Sequence, residues 1–258
     1  MNDMNPSKLL QRELMGISAV WWREYKVFWR EKSRIVSSIV QPLIWLFLFG
    51  SGIGASLSVE NVHYRDYIYP GILTMSVIFG SVFFGLYIVW DRKLDVLKAV
   101  LVAPVARISI FFGKVLGGCT DVLLQVMILF AFAFLFPAVD LQGIPQALLL
   151  LLVTSIALVS LGLALGSLLE SLEGFQVISA FLVFPLFFLS GALFPLDERL
   201  PSWLTGLVVL NPLSYTVDGV RGALLGMNRY PFWADLGIVA LFALVMLVVG
   251  SVMFSRMK

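Results

Sequence analysis

The sequence predicts an all-α integral membrane protein with six transmembrane helices. Sixty per cent of its 258 residues are hydrophobic, only 13% are charged, and the mean hydropathy is +0.95. A soluble domain of this length needs far more polar surface to cover its core. The apolar residues also fall in blocks of about twenty or more, the length that crosses about 30 Å of hydrocarbon.

The spans read as 35–54, 68–90, 108–136, 146–169, 175–194 and 233–254. The third is long, so it starts outside the hydrocarbon or tilts strongly. Lysine and arginine placement sets the orientation. With the N-terminus inside, the cytoplasmic segments hold thirteen of these residues and the outer segments four, leaving Lys114 at a helix start. An even number of spans then puts both termini in the cytoplasm. The first apolar block follows a long charged segment and has no small-residue cleavage site, so a retained N-terminus is expected rather than a signal peptide.

Residues 1–34 are expected to form a cytoplasmic amphipathic interface helix, and 35–258 one six-span domain. Leu10, Leu14, Ile17, Trp21, Tyr25 and Phe28 recur at spacings of three and four, whereas Arg23, Lys26 and Arg30 fall on another face. Such a helix lies in the membrane interface with Trp22 and Trp29 as anchors. It serves as an anchor alone or as a lever touching a cytoplasmic partner. A second amphipathic stretch runs from Asp91 to Leu101 and stops before Pro104. Leu94, Leu97 and Leu101 share one side; Arg92, Asp95 and Lys98 offer charge elsewhere. Two spans are joined by two to eight residues in most bundles, so this longer helix reads as a docking element. Glu170 and Glu173 form a short acidic turn that meets basic groups of a partner or caps the adjacent helix ends.

The stretch after the fifth span is apolar but interrupted by Pro195, Pro201 and Pro212. Broken apolar helices at membrane depth survive only when buried in protein or lining a cavity, so short external re-entrant helices are expected before the last span. Asp218 and Arg221, three apart, are placed to pair with each other.

Much chemistry is missing. Cys119 and His63 are each the sole residue of their kind and cannot supply the ligands of an ordinary zinc site. The runs Gly50-Ser-Gly52-Ile-Gly54 and Gly113-Lys114-Val115 lack the ending of a phosphate loop. Close helix packing is the expected use of the first run, as of Gly162 and Gly166. Asp121, with Gln125 a turn later and Lys114 two turns earlier on roughly one face, is the notable ionisable group within a span. Such a residue is a candidate for the transport path or gating; a structural polar contact between helices is the alternative. A self-sufficient ion-coupled transporter is expected to carry acids in several spans and inverted repeats. One acid and no evident repeat suggest part of a larger assembly, driven from elsewhere.

Three stretches carry a family resemblance: Tyr67-Ile-Tyr-Pro70-Gly71-Ile-Leu-Thr-Met75; Leu94-Asp-Val-Leu-Lys-Ala-Val-Leu-Val-Ala-Pro104-Val-Ala-Arg107 with Gly113-Lys114; and Phe188-Leu-Ser-Gly191-Ala-Leu-Phe194-Pro195 followed by Asn211-Pro212-Leu-Ser-Tyr215 and Asp218-Gly-Val-Arg221. Together they resemble the type-two ABC exporter permeases. The chain departs from many relatives at Lys98, where a glutamate is usual.

The resemblance implies a permease subunit in a bacterial inner membrane, paired with a second copy or a homologous permease. Two cytoplasmic ATPase subunits would dock beneath and use ATP and Mg; the chain itself would bind no cofactor, metal or nucleic acid. The Asp91–Leu101 helix, the N-terminal helix and the Glu170–Glu173 turn would carry the coupling. Asp121, Gln125, Phe187, Phe188 and Phe194 would belong to the substrate path, and Asn211, Tyr215, Asp218 and Arg221 to the path or its outward gate. An amphipathic, lipid-like or drug-like substrate is expected. A lipid-linked polysaccharide or lipo-oligosaccharide is the alternative, and a membrane-embedded enzyme or scaffold the rival from another class.

Overall fold

The computed structural model describes residues 6–53, 58–59, 62–95, 105–195 and 201–257. Helix α1 (Pro6–Arg30) is amphipathic and joins α2 (Lys32–Phe47) through Glu31. Helix α2 runs into a π-helical turn, Leu48–Ile53. A two-residue antiparallel ladder follows, pairing Ser58 with His63 and Val59 with Val62. It is a small departure from the expected all-α chain.

The second span comprises α3 (Tyr64–Phe84) and α4 (Leu86–Lys93), which meet at Gly85. Then come α5 (Arg107–Phe130), α6 (Ile144–Leu168), α7 (Leu172–Phe188), α8 (Ser202–Leu210), α9 (Pro212–Leu225) and α10 (Phe232–Ser255). Among the described residues, five segments are long and apolar enough to cross a bilayer: Lys32–Gly50, Tyr64–Lys93, Arg107–Leu135, Leu141–Leu168 and Phe232–Ser255. The expected fifth span is instead the 17-residue helix α7. At 1.5 Å per residue it covers about 25 Å, and its chain leaves the helix at Leu189, before the expected end.

Helix α6 lies at the centre, packed against α3, α5, α9 and α10. It is apolar all round, as a helix with neighbours on every side should be. Its few hydroxyls are satisfied internally: Thr154 Oγ1 lies 2.8 Å from the Leu150 carbonyl and 2.9 Å from Thr216 Oγ1. Glycine brings α6 against the second span. A Cβ at Gly85 would collide with the Gly162 carbonyl, and a Cβ at Gly166 with the Gly85 carbonyl. Small residues thus let two backbones touch, as expected for Gly162 and Gly166. The Gly50–Gly52 run behaves differently. It sits in the π-helical turn: a Cβ at Gly50 would lie 3.1 Å from Arg65 Cγ of α3, nothing lies within 4 Å of one built on Gly52, and Gly54 falls outside the described residues. The first span stands largely off the bundle, with 17% of its apolar window buried.

Candidate functional site

At the end of the bundle carrying α1 and the C-terminus, four charged side chains from three elements converge. Lys114 of α5 is fully buried; its Nζ donates to Asp91 Oδ2 at 2.7 Å and to Glu24 Oε1 at 3.0 Å. Arg23 donates to Asp91 Oδ1 at 2.8 Å and to Glu24 Oε1 at 2.9 Å. Two cations face two anions. This balance matters because each unpaired ion at such depth costs several kcal/mol. Burial pushes the Arg23 guanidinium down, but the bond to Asp91 and the charges of Glu24 and Asp91 outweigh it and hold the group above its ordinary value.

The network is possible because α1 lies close on α5. A Cβ at Gly117 would sit 2.6 Å from Glu24 Cβ, and one at Gly113 would sit 2.7 Å from Val20 Cβ. Glycines one turn apart therefore open a groove for α1. Further ties secure the same end. The Ala106 N–H donates to Glu13 Oε2 at 2.9 Å, which holds the Glu13 carboxyl below the usual carboxylate range. Arg92 donates to the Ser167 and Leu169 carbonyls, and Arg107 to those of Ser255 and Met257. These carbonyls close α6 and α10, where a helix has no intrahelical donors left.

Deeper in, Arg34 NH2 lies 3.2 Å from Asp121 Oδ2, and its guanidinium lies over the Tyr87 ring at 4.5 Å. The Tyr87 hydroxyl donates to Glu31 Oε2 at 2.6 Å. Glu31, Arg34 and Tyr87 border a cavity of about 910 Å³ between α1, α2, α3, α4 and α5, reaching Phe184 of α7. Phe79, Phe83 and Phe184 give it aromatic walls, and Ser38, Gln41 and Gln125 line it with hydrogen-bonding groups. It has the volume and mixed lining of a small-molecule site.

The expected coupling residues separate into three groups. Arg23 and Asp91 turn inward to the ion network, and Arg92 caps α6. Lys26, Arg30, Glu170, Glu173 and Leu94 are exposed. Asp95 has a left-handed backbone, φ 55°. Leu97, Lys98 and Leu101 lie outside the described residues. The cap of α7 is Ser171, whose hydroxyl accepts from the Gly174 N–H at 2.9 Å, not a glutamate. Lys114 does not reach towards an aqueous surface; two buried acids hold it.

Among the expected path residues, Gln125 lines the cavity and Asp121 borders it through Arg34. Phe187 is buried edge-on to Phe79, with ring centres 5.7 Å apart, whereas Phe188 and Phe194 are about half exposed. Sequence reasoning missed Glu24, Glu31, Arg34 and Tyr87. Glu24 had a signal: it lies three residues after Trp21 and four before Phe28, an acid inside the apolar stripe.

The opposite end is held by other means. Helix α7 stops early, and side chains reach the carbonyls of its last turn and of the chain just beyond it. Asn211 Nδ2 donates to Leu186 at 2.7 Å, Ser214 to Leu189 at 3.2 Å, Arg221 to Gly191 at 2.9 Å and Tyr64 to Leu193 at 2.9 Å. Asn211 also accepts from the Leu213 N–H, capping α9. Tyr215 donates to the Val209 carbonyl, and burial raises its phenol above the ordinary value. Asp218 and Arg221 do not pair with each other. Asp218 accepts from the Arg229 and Tyr230 N–H groups, while Arg221 lies 4.0 Å above the Tyr67 ring.

A helical bundle with spanning apolar segments, an amphipathic helix on one end and a cavity of mixed lining fits a polytopic membrane protein of the transport class. The family description "ABC-2 type transporter" matches residues 15–225, and the chain belongs to that family. It is 35% identical to a putative transport permease, ycf38, of Cyanophora paradoxa, over 74% of this chain and 68% of that one. It is 27% identical to the inner membrane transport permease YadH of Escherichia coli K12, over 88% and 90%. It is 25% identical to nodulation protein J of Rhizobium leguminosarum bv. viciae, over 92% and 93%. The chain is thus a transmembrane permease subunit of an ABC transporter and not itself a catalyst.

Proposed function

We propose that the chain is the membrane half of an ATP-driven exporter in a bacterial inner membrane. Six spans cross the bilayer, with α7 as the short fifth, both termini lie in the cytoplasm, and α8 and α9 form the re-entrant outer gate. Two such permeases pair, and two ATPase subunits dock at the α1 end. The exposed Leu94, Glu170 and Glu173, with the segment containing Leu97, Lys98 and Leu101, contact them. Movement then passes through Arg92 and through the buried ions, which make α1, α4 and α5 one rigid unit.

The observation that carries the transport reading is the 910 Å³ cavity, charged at the α1 end and aromatic farther in. An amphipathic molecule fits that gradient, polar head beside Arg34 and Gln41, apolar part against Phe79 and Phe184. The serine and amide groups of the lining also suit a glycan headgroup, so a lipid-linked oligosaccharide is the second reading. The complex reconstituted with its ATPase tests both. An amphiphile is expected to stimulate ATP hydrolysis, and Gln125→Leu to raise its half-saturating concentration about tenfold, the loss of about one hydrogen bond. Hydrolysis or pumping by the permease alone contradicts the proposal. Stimulation confined to glycan-bearing lipids selects the second reading.

A further inference from the structure

Residues 6–34 carry acidic and basic groups that part company in the fold. Glu13 turns to the Ala106 N–H, Glu24 to Lys114 and Arg23, and Glu31 to Tyr87. The exposed charged side chains of this stretch are Lys8, Lys26, Arg30 and Lys32, all basic. Positions 22, 26, 29 and 30 lie on one face of α1, since they follow each other at helical spacing. Trp22 and Trp29 are 49% and 53% exposed there. Trp22 stacks on Tyr25 with ring centres 5.3 Å apart, and Lys26 Nζ lies 5.3 Å from the Trp22 ring.

We infer that this face of α1 is a binding surface for the anionic headgroups of a bilayer. Bases spread along one face attract a negative surface, while indole rings prefer the zone between headgroup and acyl chain. Glu24 is buried and Glu31 is bound by Tyr87, so among the acids of this stretch only Glu13, partly exposed at its bond to the Ala106 N–H, leaves negative charge near the surface. Anionic lipid thereby holds α1 flat while the buried ions hold it to α5. The membrane's surface charge thus becomes part of what positions the helix.

The inference rests on the chain spanning a membrane, and the experiment separates the two. The full chain is reconstituted in phosphatidylcholine bilayers containing dibrominated phosphatidylglycerol or dibrominated phosphatidylcholine at equal mole fraction, and tryptophan quenching is compared. The anionic lipid is expected to quench more, and Trp22→Phe with Trp29→Phe to remove the excess. Lys26→Gln with Arg30→Gln weakens the preference about five-fold for each charge lost, and Lys26→Arg with Arg30→Lys retains it. Equal quenching by both lipids, or a preference unchanged in the glutamine variant, overturns the inference. So does loss of the ATPase subunit from the glutamine variant in detergent with the lipid preference intact, since that makes the face a protein contact. Failure of either lipid to quench at all sinks the membrane reading itself.

Discussion

The two ends of the bundle are fastened by different chemistry. Beside α1, full charges meet full charges: Arg23 and Lys114 against Glu24 and Asp91. At the far end, Asn211, Ser214, Arg221 and Tyr64 meet main-chain carbonyls in the last turn of α7 and just beyond it. The first arrangement is all-or-none, because removing one ion strands its partners at depth. The second is a series of separate bonds, each worth about 0.5–3 kcal/mol and each replaceable. A permease worked from one end gains from this difference. On the proposed docking of the ATPase beside α1, the driven end is expected to stay rigid and the far end to rearrange bond by bond.

The largest expected effect strikes the ion network. Lys114→Met leaves two buried carboxylates with Arg23 as their one remaining cation and should cost about 3–5 kcal/mol, seen as a marked fall in melting temperature of the detergent-purified chain. Adding Glu24→Gln, which leaves Arg23 paired with Asp91 alone, should recover much of that loss. No recovery would mean that Lys114 matters through packing rather than charge. Arg221→Met, at the other end, should cost about 1.5–3 kcal/mol through the bond to Gly191, with the ion network unaffected. Asn211→Ala should cost about 1 kcal/mol for the lost cap of α9.

The smallest effect concerns Glu13. Its pKa is lowered in the fold, so its contribution is present above the ordinary carboxylate value and lost as pH falls through the lower, folded one. Glu13→Gln should therefore erase a slight weakening of α1 attachment below about pH 4.5, measured by protease cleavage at the α1–α5 contact. An equal response at both pH extremes would remove Glu13 from the account.

Much of the fold was legible because lipid is a demanding solvent. Composition alone gave the class, and hydrophobic blocks gave spans whose ends fall near those of α3–α4, α5, α6 and α10. The early stop of α7 was not legible, since side chains remote in sequence satisfy the carbonyls that end it. The Gly50–Gly52 run was half legible: Gly50 lies against Arg65 of α3 while Gly52 faces open space, because a glycine pattern shows that close approach is possible and not at which glycine a neighbour arrives. At the site, Asp91, Arg23 and Asp121 were singled out, but their partners lie tens of residues away. Helical periodicity gives the face of a helix and not what covers it. Arg23 on the polar side of α1 therefore read as a partner contact when it reaches a buried acid. Glu24 was missed although it left a signal, an acid where the stripe required an apolar group.

The central claim is that α1 and α5 move as one body when the ATPase works. A Cβ at Gly16 lies 3.3 Å from Val105 Cβ, close to the separation in disulfides. Gly16→Cys with Val105→Cys, in a chain carrying Cys119→Ser, should therefore form a cross-link on oxidation that ties the start of α5 to α1. The account predicts that substrate-stimulated ATP hydrolysis and transport by the reconstituted complex continue at the uncross-linked rate. Activity that stops on oxidation and returns with reductant would show that α1 must leave α5 during the cycle, and would contradict it.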